Sequence, residues 1–564
     1  MTFAWLVLAM LFLGTAPPPA SVPAANGSSL ELEYAWIECR AHGDPGTVHV
    51  YVRNTGTVPV EIASLMVEPL TAPDPAERIV EALLNEDGDD DVVDDSPFFW
   101  WRSWPARVAP GGYADVCAKL SQHPAGKLTV RVETAGGESV ECLMDRINDA
   151  LALSAVTFSE SLDTAYVFIQ NLTEQVLGVG RVQVNGIDVT GRVRSLWPTI
   201  APGGRGCLIV PLPEGTSAGA FLFFRIAADP AGRGVVLTRA FYGFPITWLD
   251  GSVPEGMDRG GSTVTCRPGH VSKEGLAGYE NIMRCPAHAH GTPREAAAKF
   301  IRLHEHLWEA EPDVPGMIYV CRWEKERYYF VFSELADVVR VMPFADSMSY
   351  CPQPREHRMQ WLTDLARRAA APRPVHAVVP IRFADSCEWT RSCTPQEIRA
   401  LIYLPLSRGA RGLCLGRKQE GLSEAAAEML ARTIAEVDSI RNVLATAAYV
   451  PLGDTNHPQM EAATLLAGDR AMIVLLINHG FEDFDDRLPL TCAPVRDVES
   501  RIELPPALKV AEVLDVADRQ RPVPWQQKGD TVVLRTDEVK VVRVYHVIFE
   551  EHTDDDFHPI MEVP

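Results

Sequence analysis

The chain has 564 residues, of which 46% are hydrophobic, and a formal net charge of −23. This length and composition predict several globular domains with cores of ordinary size. The negative charge argues against nucleic acid as a partner, because it would repel a phosphate backbone. A neutral partner such as a carbohydrate is compatible with it.

The N-terminal segment has the pattern of an export signal. A short apolar core at 3–13 is followed by prolines and by the small residues of a cleavage site at 22–24. No Lys or Arg precedes that core, so an uncleaved membrane anchor is the alternative. No later segment has the uncharged apolar length that a spanning helix needs. We expect a signal peptide over 1–25 and a secreted, periplasmic or cell-surface protein.

A sequence repeat follows the signal. VHVYVRNTG at 48–56 and WPARVAPGG at 104–112 recur as AYVFIQNLT at 165–173 and WPTIAPGG at 197–204. Each copy has an alternating β-rich run that ends at an Asn, and later a Pro-Gly-Gly turn signal. The pattern predicts two related immunoglobulin-like β-sandwiches, and their expected bounds are 30–147 and 148–240.

The first copy carries an insertion that is open to more than one interpretation. The acidic run at 85–97 could bind calcium, although its spacing is not that of an EF-hand, and a solvated loop is the alternative. The aromatic cluster FFWWRSW at 98–104 could stack on sugar rings or could fill the sandwich core.

From residue 245 onward, apolar strands alternate with amphipathic helices. A helix at 292–313 opens with Thr-Pro and a capping box, another helix again opens Thr-Pro at 394, and one long helix at 422–445 closes the run. This alternation predicts parallel β/α units, and their number favours a barrel over 241–452.

The remaining sequence is β-rich. It predicts a C-terminal sandwich at 455–550, and the acidic ending at 551–564 is expected to be frayed. Twelve cysteines are scattered without a metal-type C-x-x-C pair. Cys387 and Cys393 could form a small loop disulfide in an oxidising compartment, while buried thiols are the alternative for most of the twelve. The sequence indicates no cofactor.

The segment TPQEIRALIYLPLSRGARGLCL at 394–415, with the long helix after it, resembles the end of a glycoside hydrolase barrel of the beta-galactosidase-like group. The resemblance covers about residues 244–550. It implies a TIM-type β/α barrel, intact or degenerate, followed by a β-sandwich, and with the repeat it predicts a multidomain protein in which two immunoglobulin-like sandwiches precede the barrel. It also implies a carbohydrate partner and two carboxyl groups at the carboxyl ends of barrel strands.

The resemblance places the general acid at the end of the fourth strand. This sequence has Arg284-Cys285-Pro286 where the family typically has acidic residues before a proline, so the acid is expected to be lost. The remaining candidates for catalytic carboxylates are Glu280, Asp346, Asp385 and Glu388. The candidates for lining a sugar site are Arg284, His288, His290, Arg382 and Trp389.

Three functions stay open at this point. The first is a degenerate glycoside-hydrolase-like protein with a carbohydrate-binding or scaffold role. The second is an active glycosidase that uses two of the carboxylates. The third is a metal-dependent hydrolase, because His288 and His290 would share one face of a strand and could begin a zinc site. The sequence predicts neither whether the protein is an enzyme nor its oligomeric state.

Overall fold

The computed structural model shows a β-rich, multidomain protein. Two antiparallel sandwiches come first, a unit of parallel strands and helices follows, and a third sandwich comes last. The described residues are 29–40, 44–69, 98–121, 127–144, 148–229, 232–248, 293–310, 312–320, 326–341, 355–379, 381–383, 391–416, 422–482, 491–506, 508–552 and 557–559.

Sandwich 1 has eight strands in two four-stranded sheets, with the orders β1-β2-β6-β4 and β5-β3-β7-β8. Its core is aliphatic and includes Val50, Val116 and Val130. The strands are β1 (Leu30–Glu38), β2 (Thr47–Asn54), β3 (Val60–Pro69), β4 (Phe98–Trp104), β5 (Arg107–Val108), β6 (Tyr113–Leu120), β7 (Leu128–Thr134) and β8 (Ser139–Met144).

Sandwich 2 repeats this plan with the sheets β13-β14-β10-β9 and β12-β11-β15-β16. A last short strand of the chain joins the first of these sheets beside β13. The strands are β9 (Leu151–Phe158), β10 (Thr164–Asn171), β11 (Gly178–Val184), β12 (Ile187–Asp188), β13 (Arg194–Ser195), β14 (Arg205–Pro211), β15 (Phe221–Asp229) and β16 (Arg233–Arg239).

The repeated Asn explains why the two sequences look alike. Asn54 is buried at the end of β2, and its side-chain amide donates to the carbonyls of Val58 and Val108 at 2.8 and 2.9 Å. Asn171 ends β10 in the same way, with its amide 3.0 Å from the carbonyl of Ile200. Each Asn therefore satisfies the backbone of the neighbouring Pro-Gly-Gly turn, whose middle glycine has positive φ.

Within the described residues, the central unit has a five-stranded parallel sheet with the order β17-β23-β20-β19-β18. Its first strand in the chain thus lies beside its last. Its elements are β17 (Ile246–Trp248), α1 (Pro293–Ala310), β18 (Met317–Val320), α2 (Glu326–Phe332), β19 (Val338–Val341), α3 (Arg355–Ala370), β20 (Val375–Val379), β21 (Arg382–Phe383), β22 (Arg391–Ser392), α4 (Pro395–Leu406), β23 (Leu413–Leu415), α5 (Glu424–Ser439) and α6 (Arg441–Thr446).

Two predicted helices of this unit can be compared with the structure. Thr394 caps α4 in a capping box with Glu397, whose carboxylate accepts from the Thr394 amide at 2.8 Å. The single long helix expected at 422–445 is wrong, because the helix breaks at Ile440, whose φ of −114° is not helical, and α6 begins after it. None of the described helices is long and apolar enough to cross a membrane.

The third sandwich pairs a six-stranded sheet, β24-β26-β27-β35-β31-β32, with a four-stranded sheet, β25-β30-β34-β33. Its strands are β24 (Ala448–Tyr449), β25 (Gly453–Thr455), β26 (Met460–Ala467), β27 (Ala471–Asn478), β30 (Val495–Glu503), β31 (Val510–Asp515), β32 (Arg521–Pro522), β33 (Trp525–Lys528), β34 (Thr531–Val539) and β35 (Val542–Phe549). A separate pair is formed by β28 (Phe481–Glu482) and β29 (Thr491–Cys492), and β36 (His558–Pro559) belongs to the sheet of β13.

The acidic ending returns to sandwich 2, so the expectation of a frayed tail is wrong for its described part. Phe557 is buried in an apolar core that also holds Phe168 of β10 and Met472 of β27. The guanidinium of Arg194 lies 4.7 Å from the centre of the Phe557 ring, and β36 pairs with β13. This segment therefore holds the second and third sandwiches together.

Candidate functional site

The carboxyl edge of the parallel sheet is the candidate site that the fold provides. The strands run in one direction, so β17, β18, β19, β20 and β23 all end at the same edge. In parallel α/β folds, ligands bind at this edge, because the loops that follow the strands converge there.

The predicted site residues belong to the segments that follow these strands. Glu280, Arg284, His288 and His290 lie between β17 and α1, and Asp346 lies between β19 and α3. These five positions are outside the described residues. The distances between them are therefore not part of the structure, and their proposed roles stay predictions.

The second group of predicted residues belongs to a short hairpin after β20. Its two arms pair antiparallel, with Arg382 opposite Ser392 and Phe383 opposite Arg391. Asp385, Glu388 and Trp389 fall in the sequence between the arms, outside the described residues, as does Cys387 of the proposed disulfide. Only the backbone of Arg382 is described. The second arm leads directly into the capping box of α4, which fixes where the hairpin leaves the sheet.

Three buried basic groups lie within or beside the sheet. Arg340 and His376 are partners in the β19–β20 ladder, and Arg411 precedes β23. Burial, with help from both arginines, holds the pKa of His376 well below 6.5. Arg411 donates to the carbonyls of Val156 and Ala445 at 3.1 and 3.2 Å, which ties the sheet to sandwich 2 and α6.

The aromatic cluster of β4 packs against the central unit. The Trp100 indole donates to the Val331 carbonyl at 2.7 Å, and Arg102 donates to the Leu335 carbonyl at 3.0 Å. Trp104 stacks near His304, with ring centres 4.4 Å apart. Trp100 and Trp104 are only 4% and 6% exposed, so the hypothesis that they bind sugar is wrong.

A buried ionic network, here called the Glu334 cluster, lies beneath this contact. No local sequence pattern indicates it. Its members come from β1, β2, β6, the β1–β2 connection and the turn after α2, and they are nearly all inaccessible to solvent. The cluster consists of Glu38, Arg40, Asp44, Thr47, His49, Asp115, Lys119 and Glu334.

Glu334 is the centre of this cluster. Its carboxylate lies 3.0 Å from Arg40 and 3.9 Å from Lys119, and it accepts from the Thr47 hydroxyl at 3.0 Å. Lys119 also donates to Asp44 at 2.7 Å. Burial opposes ionisation of Glu334, but Lys119 and Arg40 outweigh it and hold the pKa of its carboxyl below 4.5.

His49 lies between two carboxylates of the cluster. Its Nδ1 is 3.0 Å from Asp115, and its Nε2 is 3.5 Å from Glu38. Burial disfavours the imidazolium, but Asp115 and Glu38 more than offset this and raise the pKa of His49 to about 10. The charged form of the ring is therefore favoured at neutral pH, and it offsets part of the negative charge of the four carboxylates of the cluster.

The cluster also has the donor types of a cation site. Ligand atoms of Glu38, His49 and Glu334 lie close together. However, Arg40 already bridges Glu38 and Glu334, at 2.5 and 3.0 Å. A guanidinium thus occupies the place that a cation would need, and the arrangement fits an interdomain ionic lock better than a metal centre.

Comparisons with known proteins give weak similarities. No protein family matches the chain, and no curated protein does. A cycloisomaltooligosaccharide glucanotransferase from Paenibacillus sp. has 8% identity and a TM-score of 0.32, over 70% of this chain and 100% of its own. A family 5 glycoside hydrolase from Bacteroides vulgatus has 13% identity and a TM-score of 0.29, over 45% and 66%.

An alpha-L-fucosidase isoenzyme 2 from Paenibacillus thiaminolyticus has 16% identity and a TM-score of 0.16. The match covers 23% of this chain and 18% of the fucosidase, so this chain spans less than a fifth of that enzyme. The structural neighbours thus include enzymes that act on glycosides. At these TM-scores the similarity carries no inference about the arrangement or the activity of this chain.

Proposed function

We propose that the protein is a secreted, glycoside-hydrolase-like protein that binds carbohydrate at the carboxyl edge of its parallel sheet and has lost efficient hydrolysis. The observation that carries the proposal is the sheet order, in which the first strand lies beside the last. This neighbour relation is the one that a closed β/α barrel requires. Closure itself is part of the proposal, because residues 249–292 lie outside the described residues.

The sequence at the proposed mouth supports the loss of hydrolysis. Arg284 and Cys285 stand where the resemblance implies an acidic residue, and neither can serve as an ordinary glycosidic general acid. A barrel supports many chemistries, so the architecture supports carbohydrate binding only together with these residues.

An active glycosidase is the second candidate, and the β21–β22 hairpin favours it. The hairpin begins directly after β20, and sequence positions 384–390 join its two arms. That sequence contains two carboxylates, Asp385 and Glu388, and one aromatic residue, Trp389. Such a set could supply a nucleophile and a sugar platform if Glu280 supplied the acid.

Binding and turnover of soluble polysaccharides by the full chain test the proposal. We expect retarded migration in a polysaccharide gel without release of reducing ends, and loss of retardation in Trp389→Ala. The matched control for the carboxylate variants is Asp454→Asn, an exposed carboxylate on β25 of the third sandwich. Turnover that Glu388→Gln abolishes and Asp454→Asn preserves would establish the active glycosidase instead. Absence of both binding and turnover would overturn both candidates.

A further inference from the structure

A groove of about 870 Å³ separates α4 and α5 from the open side of the third sandwich. Its floor and walls come from both sheets, with β31 and β35 of one sheet and β33 and β34 of the other. A cavity of this size is typical of sites that enclose small ligands. The groove is lined by residues of α4, of α5 and of the third sandwich, and none of the described strands of the parallel sheet contributes to its lining.

We propose that this groove is a second carbohydrate-binding site, which takes a neutral oligosaccharide. The ligand class rests on the proposed function, and the site itself rests on the groove. Five cationic and three acidic side chains line it. This mixture offers hydrogen-bond donors and acceptors side by side, as a chain of sugar hydroxyls requires. Glu436, which pairs with Arg399, offsets part of the cationic excess.

Two of the cationic groups of the groove are held in place before any ligand arrives. Arg399 donates to Glu436 at 2.7 Å and to the Val542 carbonyl at 3.1 Å. Arg543 is paired with Asp515. These pairs compensate the charges and hold the side chains in place, so ligand binding orders few new rotamers.

Trp525 supplies an apolar platform beside these groups. It begins β33, which is the edge strand of its sheet, and it is half-buried because part of its ring packs on the sandwich core. Indole faces stack well on the apolar faces of sugar rings. A peptide strand added along β33 is disfavoured, because this edge has only 4 residues and would form few ladder hydrogen bonds.

Arg535 provides the sharpest test, because the chain contains a matched control. Arg535 and Arg501 both pair with the carboxylate of Glu499, at 3.4 and 3.0 Å, and both are mostly exposed. Of these two arginines, Arg535 lines the groove and Arg501 does not. Removing either arginine costs little stability, since exposed ion pairs are weak. A difference in binding between Arg535→Ala and Arg501→Ala therefore reports on the groove.

The experiment measures binding of neutral gluco-, galacto-, manno- and xylo-oligosaccharides to the full chain by array and then by calorimetry. We expect Trp525→Ala to weaken binding about tenfold, the loss of one stacking contact. Trp525→Tyr should restore most of it, Arg535→Ala should weaken it, and Arg501→Ala should leave it unchanged. Each variant is also measured with Trp389→Ala, which removes the proposed mouth platform.

The outcomes separate the two sites. Binding that survives Trp389→Ala and is lost in Trp525→Ala and Arg535→Ala establishes the groove. Binding that only Trp389→Ala abolishes overturns the groove and leaves the proposed function standing. Equal loss of binding in Arg501→Ala and Arg535→Ala also overturns it. Absence of oligosaccharide binding in the unaltered chain rejects both sites.

Discussion

Replacing Glu334 by Ala should open the contact between sandwich 1 and the central unit. The change leaves Arg40 and Lys119 buried with one carboxylate fewer. Breaking a buried ion pair from one side costs about 3–5 kcal/mol. The lower end applies here, because Arg40 retains Glu38 at 2.5 Å and Lys119 retains Asp44 at 2.7 Å. We therefore expect a loss of about 3 kcal/mol, which is a large fraction of the stability of a typical domain.

Hydrogen exchange followed by mass spectrometry suits this multidomain chain, because it reports opening free energies segment by segment. Peptides from β2 and α2 should lose protection together in Glu334→Ala, while the β30–β34 ladder of the third sandwich should not change. Glu334→Gln tests the effect of the negative charge alone, because the amide keeps the side-chain shape and the oxygen that accepts from the Thr47 hydroxyl.

The control is Glu133→Ala, which removes a surface partner of Arg131 at 3.1 Å. That pair is 45% and 35% exposed, so its loss should cost less than about 1 kcal/mol. If Glu334→Ala changes the hydrogen exchange of the β2 and α2 peptides no more than this control does, the cluster is not an interdomain lock.

Three further results are expected. The pKa of His49 is raised from 6.5 to about 10, so the stability that the charged ring gives to the folded state is complete below pH 6.5 and is lost as the pH rises through about 10. In His49→Gln, the free energy of unfolding should therefore change less with pH across this window. Gly468→Ala should lower the melting temperature, because φ is +57° and a Cβ would lie 2.2 Å from the Tyr166 ring. Phe557→Ala should destabilise the second and third sandwiches by about 3 kcal/mol in urea unfolding, through the loss of a buried ring.

Each of these results has a control within the chain. For His49 the control is His457→Gln, because His457 lies outside the Glu334 cluster; a flattened profile there as well would contradict the assignment. For Gly468 it is Gly529→Ala, which has φ of +59° but no atom within 4 Å of a Cβ. Equal losses at both glycines would mean that backbone strain, and not the Tyr166 contact, sets the cost. For Phe557 it is Ile187→Ala, at an apolar side chain that is 52% exposed.

The β-rich, multidomain character could be predicted from the sequence, because local signals carry it. Alternating runs and Pro-Gly-Gly turns specify strands and their ends, and Asn54 and Asn171 show why the turn signal and the strand end occur together. Thr-Pro openings and strand–helix alternation likewise pointed to parallel units. The break at Ile440 escaped prediction because the apolar pattern continues through it, and only the backbone angle marks the end of α5.

The Glu334 cluster could not be predicted, because its members are distant in sequence. The one available signal was the presence of Lys119 and Asp115 in a strand that is otherwise buried, since unpaired charges do not stay in such positions. The groove depends on how the third sandwich meets α4 and α5, which no local pattern encodes. The aromatic residues of β4 were predicted to fill the sandwich core or to stack on sugars, and Trp100 and Trp104 instead pack against the central unit, a contact that no local pattern encodes.

The pairing of β36 with β13 has a consequence for synthesis of the chain. Residues 558 and 559 complete a sheet whose other strands lie between 151 and 211. While residues 212–557 are being translated, this edge of sandwich 2 has unpaired backbone groups, and the Phe557 ring has not yet filled its place in the core. An open sheet edge pairs with strands of other chains, so we expect a chaperone that covers this edge during synthesis to reduce aggregation of the nascent chain.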